Sequence, residues 1–334
     1  MQHLKVGVLG GGSWGTTVAA LITRNVPVTL WARNPDTVRE INETHRNETY
    51  LPGAVIPDKL VATNDIGECV SSADVVVMGI PSQNFRAVLE EVRDHIRPWV
   101  PVISLTKGLE LDTRMRMTEI ITEVLPGHPV GVLTGPNLAR EIMAGQAAAS
   151  VIAMEDEIIV KALQNVFKSG LFRVYTNTDV IGCELGGVLK NIIAIAVGMG
   201  DGQGAGDNTR SALITRGLSE ITRLGVAMGG RAETFAGLAG MGDMIATCTS
   251  PQSRNRHVGI ELGKGRSMQE IVDEMVMVAE GAKSAPAVMA LAEQYNIEMP
   301  IARDVYRVLG GDSNASRAFR GLLRVEARAE SEPG

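Results

Sequence analysis
Along the first half of the chain two textures of apolar residues alternate. Residues 4–9, 27–32, 73–78, 100–105, 130–133 and 148–153 form short apolar runs with too little polar alternation for a sheet wetted on one side. They predict strands buried on both faces. Between them, Val18, Leu21 and Ile22, then Phe85, Val88, Leu89, Val92 and Ile96, then Met117, Ile120, Ile121, Val124 and Leu125 recur at the i, i+3, i+4 spacing of an amphipathic helix. Such strands alternating with such helices predict an α/β unit, a doubly wound and mostly parallel sheet covered by helices on both faces.

Near residue 178 the strand-like runs stop. Leu189, Ile192, Ile193, Ala196 and Val197 open a long helical stripe, and helical runs with Gly-rich joints continue to Gly321. The expected organisation is a sheet domain over residues 1–177 and an all-α domain over 178–325. The charged, Pro/Gly-terminated tail over 326–334 is expected to fray. With 334 residues, each domain is long enough to bury its own core.

Charge and composition remove several function classes. The 38 acidic against 32 basic residues leave a net charge of −6, which gains little from a phosphate backbone and argues against nucleic-acid binding. Cys69, Cys183 and Cys248 lie far apart and form no C-x-x-C pair. Neither a disulfide framework nor a Cys-rich metal site is therefore expected, and a reducing compartment such as the cytoplasm fits. No H-E-x-x-H, His/Cys cluster or calcium loop points to a metal. The N-terminal residues lack a secretory leader pattern, and no run of ~20 apolar residues predicts a transmembrane helix. Aromatic residues make up only 4%, so the cores must be aliphatic.

Gly10-Gly11-Gly12-Ser13-Trp14-Gly15 follows the first strand and opens the first helix, the context in which G-x-G-x-x-G binds a dinucleotide. In that reading Gly10 permits the tight turn, Gly12 lets a pyrophosphate approach the backbone, and Gly15 lets helix and strand pack closely. The N–H groups at the helix start then face the diphosphate. A structural glycine turn is the plain alternative. Gly11-x-Ser13-x-Gly15 also spells a nucleophile elbow, but on a first strand there is no earlier strand to supply an oxyanion loop. The second strand ends Trp31-Ala32-Arg33-Asn34, where an NAD-preferring site usually places a carboxylate for the ribose hydroxyl. Arg33 suits a 2′-phosphate, so NADPH is allowed beside NADH, unless Arg33 is simply a solvated strand-end side chain.

Gly186, Gly187, Lys190, Asn191, Ala194 and Gly198 share one face of the helix expected over 179–200. The glycines leave open space in the direction in which the Lys190 side chain leans. A lysine desolvated there titrates lower, which suits a proton donor or acceptor near neutrality. The alternative is a small-residue face on which another helix packs, with Lys190 reaching out to solvent. Lys107, in Ser104-Leu105-Thr106-Lys107-Gly108, follows a strand at the carboxyl end, where open α/β sheets bind ligands. It too has a bland reading, as a solvated loop lysine.

Gly237-Leu238-Ala239-Gly240-Met241-Gly242-Asp243 is a Gly-rich joint ending in a carboxylate. Ser253 is placed to cap a helix running through Val258 to Leu262, with Arg254 and Asn255 in its first turn. Arginine is unfavourable there against the helix dipole unless an anion binds. Helix N–H groups with a guanidinium make a phosphate cradle; a capped surface helix with exposed arginines is the alternative.

Taken in order, several segments resemble the NAD(P)-dependent glycerol-3-phosphate dehydrogenases, most closely the bacterial type, nearly end to end. They are the glycine turn with Trp14, Ser104-Leu105-Thr106-Lys107-Gly108, Gly135-Pro136-Asn137-Leu138-Ala139-Arg140-Glu141, Leu189-Lys190-Asn191, the joint over 237–243, and Ser253-Arg254-Asn255-Arg256. The resemblance implies an N-terminal Rossmann-type doubly wound sheet, a C-terminal all-α domain, NADPH or NADH as cofactor, and dihydroxyacetone phosphate and sn-glycerol 3-phosphate as substrates, bound between the domains. It also implies a role in glycerophospholipid synthesis and, by analogy, a homodimer. By position, Lys190 matches the proton acceptor, with Lys107 and Asp243 beside it in the catalytic group. Lys107, Gly135, Asn137, Lys190, Asp243, Ser253, Arg254 and Asn255 match substrate contacts. Gly10, Gly12, Ser13, Trp14, Gly15, Arg33, Lys107, Ala139, Arg254, Val278 and Glu280 match cofactor contacts, and Thr247 matches a further active-site position. Many members carry Ser where this chain has Asn137. Two rivals fit the same architecture: a hydroxyacid- or ketopantoate-type dehydrogenase, whose substrates lack the phosphate, and a nicotinamide-binding sensor without turnover.

Overall fold
A computed structural model describes residues 4–275 and 279–322. The chain divides into two compact units. One contains the residues through Thr106 together with Met115–Val180; the other contains Lys107–Arg114 and the residues from Ile181 onward. The turn to the second unit thus falls within three residues of the change in texture near 178. The excursion over Lys107–Arg114 has no counterpart in the expected organisation. The tail over 326–334 lies outside the described residues.

In the first unit the elements run β1 (Val6–Leu9), α1 (Ser13–Ile22), β2 (Val28–Trp31), α2 (Pro35–Thr44), β3 (Val61–Thr63), α3 (Ile66–Ser71), β4 (Val75–Met78), α4 (Ser82–Val92) and β5 (Val102–Ser104). They continue with α5 (Met117–Val124), β6 (Val130–Thr134), α6 (Ala139–Met143), β7 (Ala148–Met154), α7 (Glu157–Phe167) and β8 (Phe172–Asn177). The eight strands lie in the order β3-β2-β1-β4-β5-β6-β7-β8, all neighbours parallel except the antiparallel pair β6 and β7. Each central strand divides its side chains between two cores. Val6 and Val8, Val75 and Val77, and Ile103 enter one core; Leu9, Val76, Met78 and Val102 enter the other. Burial on both faces is why these runs carry no polar alternation. The order reverses at β1 and β4, and the glycine turn leaves β1 at this switch point, where open α/β sheets bind ligands.

The second unit contains α8 (Val180–Gly202, from Ile181 onward), α9 (Asp207–Ala227), α10 (Ala232–Phe235), α11 (Asp243–Thr249), α12 (Arg254–Gly263), α13 (Met268–Glu274), α14 (Glu280–Gln294), α15 (Pro300–Leu309) and α16 (Ala315–Leu322). A π-helical turn, Leu238–Gly242, leads into α11. Its core is aliphatic, built on Leu185, Val188, Leu189, Ile192 and Ile193 of α8, with Ile221, Leu224, Val258, Val288 and Val305 around them. α8 is long and apolar enough to cross a bilayer by length and composition alone, although its sequence holds no unbroken run of ~20 apolar residues. Its apolar window is 94% buried inside the protein, the mark of a helix apolar all round because it runs through a core.

The small-residue face of α8 brings backbones together. A Cβ on Gly198 would lie within 3 Å of the Arg256 carbonyl, and one on Gly259 within 3 Å of the Ile195 carbonyl; Gly202 and Gly263 meet in the same way one turn on. Here the packing alternative for this face is the observed one. The space beside Gly186 is also closed, since a Cβ there would meet the Ala239 carbonyl at 2.6 Å.

Candidate active site
In the first unit the glycine turn divides its labour by position. Gly10 has a φ of +122°, a conformation that side chains rarely adopt, and a Cβ on it would strike the Gly79 carbonyl at the end of β4. A Cβ on Gly15 would strike the Gly10 carbonyl, so helix and strand touch there. Gly12, the N-cap of α1, has nothing within 4 Å of its Cβ position, so a ligand can reach the backbone. Ser13 is the first residue of α1. Trp14 packs edge-on against Phe172, and its buried indole N–H has no hydrogen-bond partner among the described residues. Arg33 stands exposed just beyond β2. An open backbone approach, a helix N-terminus and an exposed guanidinium fit a dinucleotide.

Gly135, Asn137 and Ala139 follow β6. Gly135 again has a positive φ, +127°, and presses on Ser150 of β7. The Asn137 carboxamide donates to Ser150 Oγ at 3.1 Å, and that hydroxyl donates to the Thr134 carbonyl. The buried Asn137 Oδ1 has no partner among the described residues, which leaves an acceptor for a ligand. Ala139 opens the short α6.

The second unit gathers the proposed catalytic groups on one carboxylate. Asp243, 2% exposed, opens α11, where a negative charge meets the positive end of the helix dipole. Its Oδ1 lies 2.9 Å from Lys190 Nζ and its Oδ2 lies 2.6 Å from Lys107 Nζ. Lys190, 4% exposed, also donates to Thr247 Oγ1, which in turn donates to the Asp243 carbonyl at 2.7 Å. Lys190 therefore does not reach out to solvent; its ammonium is drawn to an ion pair. Burial lowers the Lys190 pKa to about 8, the attraction of Asp243 opposes this, and the nearby Lys107 charge adds to the lowering. Two ammoniums on one carboxylate leave the cluster with an excess positive charge and protons to donate.

A second group sits at the starts of α12 and α14. Ser253 caps α12, its Oγ accepting from the Arg256 N–H at 3.2 Å. Arg254 stands in the first turn with part of its surface open to solvent; the protein packed around its guanidinium lowers its pKa by desolvation, and the Glu280 carboxylate opposes this in part. Asn255 is buried: its Nδ2 donates to Asn191 Oδ1 at 3.0 Å and its Oδ1 accepts from the Gly281 N–H at 3.0 Å. The Asn191 carboxamide donates to the Lys107 carbonyl at 3.4 Å. A second N–H of Asn255, the Ser253 hydroxyl, the Arg254 guanidinium and the helix N–H groups can together take an anion. Val278 lies outside the described residues; Glu280 opens α14.

Two supporting residues were not singled out by sequence. Asn47, fully buried, donates to the Gly11 carbonyl at 2.9 Å and to Thr16 Oγ1 at 3.0 Å, buttressing the glycine turn from 36 positions away. Asp201 of α8 accepts from Arg256 and Arg210, which fixes the first turn of α12. Neither has a local signal, because each acts on a segment distant in the chain.

Comparison with known proteins gives consistent matches. Residues 5–160 match the family model for the N-terminus of NAD-dependent glycerol-3-phosphate dehydrogenase, and residues 179–320 match that for its C-terminus. The chain is similar, at 71% identity over 333 residues covering 100% of both proteins, to glycerol-3-phosphate dehydrogenase [NAD(P)+] 2 of Sphingopyxis alaskensis. It is 55% identical over 320 residues to glycerol-3-phosphate dehydrogenase [NAD(P)+] 1 of Mycobacterium tuberculosis, covering 96% of this chain and 94% of that one. Among solved structures, glycerol-3-phosphate dehydrogenase from Coxiella burnetii superposes with a TM-score of 0.92 at 37% identity, covering 97% of this chain and 99% of that one.

Proposed function
This chain belongs to the NAD-dependent glycerol-3-phosphate dehydrogenase family, and we propose from there that Lys190, Asp243 and Lys107 carry the proton chemistry of its reaction. The protein is an NAD(P)-dependent oxidoreductase that interconverts dihydroxyacetone phosphate and sn-glycerol 3-phosphate. The hydroxyacid-type and sensor readings give way to this one, since its nearly full-length relatives are glycerol-3-phosphate dehydrogenases.

When bound, reduced nicotinamide supplies the hydride. Gly10, Gly12, Ser13, Trp14 and Gly15 hold its pyrophosphate end in this reading, and Arg33 takes the 2′-phosphate where NADPH is used. Ala139, Arg254, Val278 and Glu280 complete the cofactor contacts. Gly135, Asn137, Ser253, Arg254 and Asn255 hold the substrate, with its phosphate on the start of α12. As the carbonyl oxygen gains negative charge, the Lys190 ammonium gives it a proton and becomes a neutral amine. Lys107 adds positive charge that stabilises the same oxygen. Asp243 orients both ammoniums and favours the charged form of Lys190. Thr247 fixes the direction of the Lys190 proton by accepting from its ammonium.

The observation that carries the reading is the buried Asp243 carboxylate between two ammoniums, one of which titrates at about 8, where donating and regaining a proton cost little. The test follows absorbance of NADH and NADPH in parallel as dihydroxyacetone phosphate is added, with unphosphorylated dihydroxyacetone as control. Consumption of reduced cofactor with the phosphate ester, and far less with the control, supports it. No consumption with either cofactor contradicts it. The proposal extends to a cytoplasmic homodimer whose product supplies glycerophospholipid backbones; light scattering coupled to size exclusion checks the dimer.

A further inference from the structure
After Thr106 the chain passes into the second unit and stays with it over Lys107–Arg114. Lys107 is therefore the first residue of a strap belonging to the helical unit. Its long side chain has much rotamer freedom to lose, so its ammonium acts at a fixed point only if the backbone beneath it is fixed. Three features hold it. The ammonium pairs with Asp243 Oδ2 at 2.6 Å, and the carbonyl accepts from Asn191 Nδ2 at 3.4 Å. Two residues on, Leu109 is 0% exposed and forms part of the aliphatic core that includes Leu189 and Ile192 of α8. Beyond it the strap comes to the surface at Leu111 and turns back, with the Arg114 N–H donating to the Glu110 carbonyl at 2.9 Å and Arg114 at a φ of +64°. Leu109 is the large apolar side chain that the strap buries.

We propose that Leu109 is a positioning residue for the reduction: its burial in the helical core anchors the strap and so keeps the Lys107 ammonium on Asp243, beside Lys190. This rests on the roles given above to Lys107 and Lys190. The anchor separates two demands on the strap. Lys107 must stay accessible enough to meet a ligand, and its side chain is 19% exposed; Leu109 carries the burial that holds it there.

The test compares Leu109→Ala, Leu109→Met, Lys107→Ala and the double variant Lys107→Ala/Leu109→Ala in the full-length enzyme, with folding checked by circular dichroism. Leu109→Ala is expected to lower kcat at least tenfold, and the double variant to be no slower than Lys107→Ala alone, because one change displaces and the other removes the same ammonium. The pH at which reduction falls off should move upward in Leu109→Ala as in Lys107→Ala, since the Lys107 charge is one of the groups lowering the Lys190 pKa. Leu109→Met, which keeps the volume, should recover most of the lost turnover. If Leu109→Ala does not fold, Leu109→Val is compared in the same way. Losses that multiply in the double variant, or a pH limb unmoved by Leu109→Ala, overturn the anchor while leaving the dehydrogenase assignment standing. A wild-type enzyme inert toward dihydroxyacetone phosphate overturns both.

Discussion

Lys190 illustrates how far a single residue can be understood from its neighbours in sequence. Its helix face, its small-residue company and its removal from a charged surface are visible in the spacing. Its partner is not: Asp243 lies on another helix, and no local pattern links the two. Gly186, one turn before Lys190, admits backbone rather than leaving space for the side chain. The ion pair then sets the chemistry. Reduction uses the charged form of Lys190, so kcat should be level below pH of about 8 and fall as pH rises through it. Oxidation of sn-glycerol 3-phosphate needs the neutral amine and should rise over the same range. Asp243→Asn removes the charge that favours the ammonium, so the fall-off in reduction should move to lower pH, with turnover down about 10²-fold. Profiles of both directions by stopped-flow absorbance check this; a reduction rate that climbs from pH 7 to 9 contradicts it.

At the scale of elements, the long buried segments were legible and the short or half-polar ones were not. β1, β4 and β5 read clearly because both faces are buried. β3 has only three residues, and β8, at the edge of the sheet, alternates buried Phe172 and Val174 with exposed Arg173 and Tyr175, so neither made a continuous apolar run. The close crossing of α8 and α12 had been one of two readings of the small-residue face. Gly259→Ala would drive a methyl group into the Ile195 carbonyl and should cost about 1–3 kcal/mol by overpacking. Thermal denaturation measures the loss, and an unchanged Tm contradicts so close a crossing. A different element contact is sensitive to pH. Glu220 of α9 accepts from the Ile301 and Ala302 N–H groups at the start of α15, at 2.8 and 3.2 Å. Burial raises its pKa from 4.5 to about 7, against the pull of those bonds and of Arg223 and Arg216. The folded state then holds the proton more tightly than the unfolded chain between pH 4.5 and 7. The stability due to this group is full at the acid end and declines as pH rises across that window. Urea denaturation of wild type and Glu220→Gln at pH 5 and 7.5 should show the decline in wild type and a smaller one in the variant; equal slopes contradict the buried carboxylate.

For the molecule as a whole, the division into a sheet unit and a helical unit follows from the loss of strand-like runs near residue 178. The excursion over Lys107–Arg114 could not be read, because a leucine after Lys-Gly looks like any loop residue until the core that receives Leu109 is known. The candidate site residues were read from an ordered set of motifs. Their supports, Asn47, Asp201 and Leu109, were hidden because each acts through tertiary contact alone. The assignment of the cofactor turn to one unit and the proton donor to the other makes their contributions separable by experiment. The most direct test is Lys190→Met, measured for NADPH affinity by fluorescence titration and for turnover of dihydroxyacetone phosphate. NADPH affinity should stay within about twofold of wild type, while turnover falls by roughly 10²–10⁴-fold, the range for a general acid. Near-normal turnover in that variant would contradict the role given to Lys190.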